Sequence, residues 1–270
     1  MMIQFQVKLL FSYILFLSFF CLIACNRAPK VQEVLSEAHD SAQVETMAED
    51  NMVYPTDSGF LFKLIPTGTH HGDEVWEDVE QTRWLGLIRN GRELELKSVL
   101  ITKEFVFDEI LDEEGQKTAV DLKAIGEDSC VLLIEVNELM KASKLKSVQL
   151  PRDELKAGES TRFDFNGKRY MLFATGEPDK DNPEICYSYR LWLKNESAGS
   201  QSKPLLLVAT LLEYKLVPII AVADFDGDGN PDFLIDASGH YNAFSPVLYL
   251  SKPSGGKHVV PVAGHTSTGC

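Results

Sequence analysis

The sequence predicts a mainly-β domain of antiparallel strands, and three observations carry that reading. Several runs alternate apolar and polar residues with period two, the spacing that puts one face of a strand in a core and the other in water. Two Asn-Gly dipeptides sit between strand-like runs, the strongest local signal for a tight hairpin. Twelve prolines and 18 glycines divide the 270 residues into short segments, the punctuation of a β-rich chain. Hydrophobic residues are 44% and charged residues 24%, which excludes a wholly disordered chain and supplies a sizeable core. Net charge is −14 with a pI near 4.9, so there is no electrostatic footprint for nucleic acid.

At the N-terminus, Lys8 precedes one apolar stretch, residues 9–23 (LLFSYILFLSFFCLI). It is short for a membrane-spanning helix, which needs about 20 residues, and suits a signal-peptide core. The stretch ends in Leu22-Ile23-Ala24-Cys25. This resembles the bacterial lipobox, a Leu and two small or aliphatic residues before a Cys. The resemblance implies cleavage after residue 24, acylation of Cys25 and a lipid anchor in the cell envelope. Asn26 after the Cys is similar to the outer-membrane sorting signal of enterobacterial lipoproteins. The alternative is an uncleaved anchor helix with an incidental Cys25. Residues 25–56 are rich in Glu, Ala, Ser and Gln and read as a flexible tether.

Residues 57–270 show no internal boundary and read as one domain. Asn90-Gly91 joins RWLGLIR to RELELKSVLI, and Asn166-Gly167 joins TRFDF to KRYMLFA. Residues 138–144, after a candidate cap at Asn137, look helical. Residues 186–193 (CYSYRLWL) put Tyr187, Tyr189, Leu191 and Leu193 on one face and Ser188 and Arg190 on the other. The continuous apolar run 205–212 predicts a central strand covered on both sides. Residues 216–222 are similar, but Pro218 argues for an edge or a bulge near the start.

The sharpest motif is IIAVADFDGDGNPDFLID, residues 219–236. Asp224, Asp226 and Asp228 alternate, Gly229 permits a sharp turn, and Asn230 and Asp232 follow. A hard divalent cation takes several oxygens at about 2.3–2.6 Å, and alternate carboxylates converge if the chain curls between them. Without a cation, repulsion should splay the loop or load it with protons. An EF-hand is excluded: Ile235 stands where the closing Glu should, and the flanks look like strands rather than helices. The motif instead resembles the calcium loops of FG-GAP and VCBS-type repeats. That resemblance implies Ca²⁺ held by the side chains of Asp224, Asp226, Asp228 and Asp232 and by the backbone oxygen of Asn230. The sequence lacks the family's Phe-Gly and Gly-Ala-Pro signatures, and it has one good copy of the loop. The nearest other stretch, Asp179 to Glu184, lacks the turn Gly, and Asp164 to Gly167 reads as a plain hairpin. The architecture expected is therefore a sandwich or an incomplete, propeller-like β domain with a calcium hairpin. The competing reading of the loop is a solvated acidic turn.

Other signals are weaker. An oxidising compartment predicts at most one pair among Cys130, Cys186 and Cys270. Cys130 opens an apolar run and reads as a buried thiol, so the expected disulfide is Cys186–Cys270, with three free thiols as the alternative. His70 and His71, beside Asp73, Glu74, Glu77 and Asp78, read as an exposed polar loop rather than a metal site. Asp108 to Glu114 read as a solvated turn. Ser238-Gly239-His240 and Gly264-His265-Thr266-Ser267 lack the G-x-S-x-G elbow of a hydrolase. His240, Tyr241 and Asn242 read as ordinary loop residues, with support of the acidic loop as the other choice. Trp76, Trp84 and Trp192 read as core. Together these features point to a non-enzymatic, lipid-anchored envelope protein whose β domain serves as a structural or binding module for protein or glycan. The rivals are an envelope hydrolase using carboxylates outside the calcium loop, and an inhibitor or assembly factor acting on another envelope protein.

Overall fold

Which face of each strand is apolar decides how the sheets stack. The computed structural model describes residues 59–198, 205–213, 216–256 and 258–268. Cys25, the signal and tether segments 1–24 and 25–56, and Cys270 lie outside the described residues. In chain order the strands are β1 (Leu64–Pro66), β2 (Gly68–His70), β3 (Trp84–Asn90), β4 (Glu93–Val99), β5 (Ile101–Val106), β6 (Ala119–Ala124), β7 (Cys130–Glu135), β8 (Ser143–Lys144), β9 (Ser147–Val148), β10 (Glu154–Lys156), β11 (Ser160–Phe165), β12 (Lys168–Pro178), β13 (Cys186–Asn195), β14 (Leu205–Leu212), β15 (Leu216–Ala223), β16 (Asp232–Asp236), β17 (Ala243–Phe244), β18 (Pro246–Leu250), β19 (Val260–Gly264) and β20 (Ser267–Thr268).

The fold is mainly β, and the described strand pairs are antiparallel. The main sheets run β11-β12-β13-β14, β10-β15-β16-β18-β19 with β9 also on β15, β1-β7-β3-β4-β8, and β2-β6-β5. They form successive layers with three apolar interfaces. Phe163, Tyr170, Leu172 and Leu191 of the first sheet pack against Phe233, Ile235 and Tyr249 of the second. The opposite face of that second sheet, with Ala221, Leu234 and Leu248, packs on Leu85, Leu87, Leu132 and Ile134 of the third. The third sheet's other face, with Ile65, Trp84 and Leu133, packs on Val120 and Leu122 of the fourth. Adjacent residues on one strand thus enter different cores, as Phe233 and Leu234 do, and the two middle sheets are apolar on both sides.

Both hairpins form. Phe165 pairs with Lys168 across Asn166 and Gly167, whose φ angles are 49° and 74°, as a type I′ turn requires. At the other hairpin Asn90 pairs with Glu93, so Gly91 (φ 60°) is the first central residue rather than the second. The bulge announced by Pro218 is present: the β15–β16 register slips between Ile219 and Ala221.

Three expectations are corrected. Residues 138–144 form no helix. Asn137 accepts from the amides of Leu139 and Met140, but the chain then goes into β8, where Ser143 pairs with Leu96. The run 205–212 is not central, because among the described residues β14 pairs only with β13, at the end of its sheet. The face assignment on β13 fails at its start. Ser188 takes φ 50° in a register slip, and Tyr187 turns outward at 43% exposure while Cys186 and Tyr189 are buried.

Candidate metal centre

The acidic motif spans the connection between two neighbouring strands of a doubly covered sheet. Ala223 at the end of β15 pairs with Asp232 at the start of β16, so residues 224–231 must reverse the chain above a buried edge. Phe225 anchors this reversal in the second core at 2% exposure. Gly227 (φ 73°) and Gly229 (φ 85°) supply the left-handed turns.

The curl brings Asp224, Asp226 and Asp232 together, with one carboxylate oxygen from each lying within 4.8 Å of the others. Backbone amides fix their orientation. Asp232 accepts from the amides of Phe225 (2.8 Å), Asp226 (3.3 Å) and Ser251 (2.8 Å). Asp226 accepts from the amides of Asp228 (3.1 Å) and Lys252 (3.0 Å). One oxygen of Asp224 accepts from the Gly229 amide at 3.0 Å, while its other oxygen, Oδ1, is buried without a hydrogen-bond partner. A buried carboxylate oxygen facing two other carboxylates with no donor is costly unless a cation or proton meets it.

Burial and mutual repulsion also shift the protonation of the cluster. Burial first, then the charge of Asp226, pushes Asp232 up to about 8. Burial also raises Asp226, assisted by Asp228 and Asp224. Asp228 goes the other way: burial works to raise it, but donors from Asn230 and Ser251 and the charge of Lys252 outweigh that, and it stays below the ordinary carboxylate range.

The expected ligand set is therefore only partly converged. Asp228 is turned toward Ser251 Oγ (2.8 Å) and the Asn230 amide (2.8 Å) and stands outside the three-carboxylate cluster. The Asn230 side chain accepts from Lys168 Nζ at 3.1 Å. Sequence reasoning missed the supports contributed by distant segments. The hairpin residue Asn166 donates to the Gly229 carbonyl at 2.6 Å. Ser251 and Lys252, following β18, hold Asp232 and Asp226. No motif links Ser251 and Lys252 to the loop; only the β16–β18 pairing does.

Elsewhere the structure corrects several weaker readings. His70 and His71 are buried, not in an exposed loop. His71 Nδ1 meets Asp108 Oδ2 at 2.5 Å, and Asp108, 1% exposed, also accepts from the amides of Ile110 and Leu111. Donating to the Asp108 carboxylate raises His71, and accepting from His71 lowers Asp108. His70 Nε2 donates to the Pro66 carbonyl at 2.9 Å, and its ring meets His265 edge-on at 5.5 Å. Burial holds His265 down to about 4. Cys130 is a buried free thiol as expected; Cys186 is also a buried free thiol, and the Cys270 end of the expected Cys186–Cys270 disulfide lies outside the described residues. Cys186 is sealed at 0% exposure, with its sulfur 2.7 Å from where a Cβ on Gly176 would lie. His240 pairs with Glu213 at 3.3 Å and Tyr241 donates its amide to the same carboxylate, so neither supports the acidic loop. Trp84 is core, whereas Trp192 lies against Phe173 on the outer side of β13. Comparison with protein-family models, with curated proteins and with solved structures finds no match for this chain.

Proposed function

We propose that the 224–232 loop is a Ca²⁺ site, and that the chain is a lipid-anchored bacterial envelope protein whose β domain acts as a structural or binding module stabilised by that ion. The observation that carries the calcium reading is Asp224 Oδ1, buried without a donor beside the carboxylates of Asp226 and Asp232. Three carboxylates at such spacing repel by roughly 3 kcal/mol per pair at an effective dielectric near 20. A divalent cation turns that repulsion into attraction, and an all-oxygen donor set suits a hard ion. Asp224, Asp226 and Asp232 would hold it, with Asp228 and the Asn230 carbonyl completing the shell by resemblance to FG-GAP loops.

The consequence is structural. The same carboxylates that would hold the ion also hold the chain after β18, through Ser251 and Lys252. Filling the site therefore ties β15, β16 and β18 together at one end of the middle sheet. The lipid anchor rests on the lipobox around Cys25, and the module reading on the absence of any hydrolase motif in the sequence.

Thermal melting tests the calcium reading. An ion at 100 times its dissociation constant stabilises by about 2.7 kcal/mol, which raises the midpoint of a domain this size by roughly 5–10 °C. The midpoint should be lower in EDTA and restored by Ca²⁺. Identical midpoints in EDTA and in excess Ca²⁺ would overturn it.

A further inference from the structure

One edge of β15 is only partly covered. β10 pairs with it as far as Pro218, and β9 takes over from Val222. Residues 149–153, between those two strands, leave the sheet and reattach through the Asp153 carbonyl, which accepts from the Ile219 amide at 2.6 Å. On the other edge the bulge makes Ile220 the extra residue. Its carbonyl is taken by Arg89, at 2.9 Å. The detached segment, the uncovered stretch of β15 and the β3–β4 turn border a half-open cavity of about 340 Å³, within the range of small-molecule sites.

The lining is unusual for this chain, which carries 40 acidic residues against 26 basic ones. Arg89 and Arg92 both border the cavity, and Asp153 is the single acid among its lining residues. Among the described residues Arg92 makes no ion pair, and Arg89 uses one donor, on Ile220. A guanidinium carries five donors in a planar fork, so most of this capacity is unspent on protein partners. The remaining wall is mixed: Leu94, Val148 and Leu150 are apolar, and Ser147 and Gln149 are polar.

We propose that this cavity binds a small carboxylate with an apolar body. The carboxylate head lies on Arg89 and Arg92, whose forks match its two oxygens. The body lies against Leu94, Val148 and Leu150, a wall that gives a bare inorganic anion nothing to contact. This site is separate from the acidic loop and does not depend on the calcium reading.

The test is a methyl NMR titration of the full chain, in buffer containing Ca²⁺, with pentanoate, pentylamine and inorganic phosphate. Pentanoate should shift the methyl signals of Leu94, Val148 and Leu150 saturably, while pentylamine and phosphate should not. Arg92→Gln removes a side chain with no described partner, so the fold and its melting midpoint should be kept. Losing one charge-assisted fork should weaken pentanoate by about tenfold. No saturable shift, an equal response to pentylamine or to phosphate, or unchanged affinity in Arg92→Gln would each overturn the proposal.

Discussion

Asn166 donates its side-chain amide to the carbonyl of Gly229 at 2.6 Å, across a sequence separation of 63 residues. The contact exists because Asn166 occupies a left-handed position at a hairpin tip, which aims its short side chain at the acidic loop. Lys146 donates to the same Asn166, and Asp224 donates its amide to the Lys146 carbonyl. The loop is thus braced from the first sheet as well as by its own strands. Asn166→Gly keeps the turn conformation and deletes the brace. A loss of about 1 kcal/mol is expected, read as a lower melting midpoint, together with weaker Ca²⁺ binding. Unchanged values on both measures would show that the brace is incidental.

Asp224→Asn separates charge from shape. The Gly229 amide needs only one oxygen, and the unpartnered Oδ1 position can accept an NH₂ without facing another donor. In EDTA the variant should be at least as stable as the parent, because a charge beside Asp226 is gone. In Ca²⁺ it should be less stable, having lost a ligand. Midpoints that do not cross between the two conditions would contradict this assignment.

Metal-free protein should respond to pH in the reverse of the usual carboxylate sense. Asp232 is raised from 3.8 to about 8 by burial and by Asp226. A raised native pKa means the native state holds a proton the unfolded chain has released. The resulting stability is complete below pH 3.8 and is lost as pH rises through about 8. In EDTA, the contribution of this group should therefore fall between pH 5 and 8, measured by denaturant unfolding of the parent against Asp232→Ala. Saturating Ca²⁺ should flatten the difference, since the ion replaces the proton.

His265 acts with the opposite sign. Its native pKa is depressed from 6.5 to about 4 by burial and by the neighbouring His70. The unfolded chain takes up a proton that the native state refuses, so stability declines as pH falls from 6.5 toward 4 and then levels. His265→Phe keeps an aromatic edge against His70 and Trp76 without a titrating group. In saturating Ca²⁺, its midpoint should fall less than that of the parent between pH 7 and pH 5. Parallel curves would exclude His265 as a source of acid sensitivity.

Acylation at Cys25 is checked by mass spectrometry of the protein recovered from a bacterial envelope. The parent should begin at Cys25 and carry acyl chains; Cys25→Ser should retain residues 1–24 and carry none. Unmodified Cys25 in the parent would remove the anchor from the account.

Local chemistry was readable and tertiary context was not. The Asn166-Gly167 turn, the Pro218 bulge and the spacing of Asp224, Asp226 and Asp232 each follow from residues that are neighbours in sequence, so short-range rules found them. The run 205–212 misled because an apolar strand can be buried at the end of a sheet when another layer lies over it. Residues 138–144 satisfy a helix cap at Asn137, yet pairing of Ser143 with Leu96 prevails. His70 and His71 looked solvated because their partners, His265 and Asp108, come from other segments. Arg89 and Arg92 carried no motif at all; only the gap between β9 and β10 makes them neighbours of a cavity.

The central claim is that the converged carboxylates of Asp224, Asp226 and Asp232 form a calcium site. Calorimetric titration of EDTA-stripped protein with Ca²⁺ at pH 7 tests it most directly. The account predicts one ion per chain with release of the proton from Asp232, seen as a heat that scales with the buffer's ionisation enthalpy. No saturable binding up to about 1 mM Ca²⁺, the weak end for extracellular modules, would contradict it.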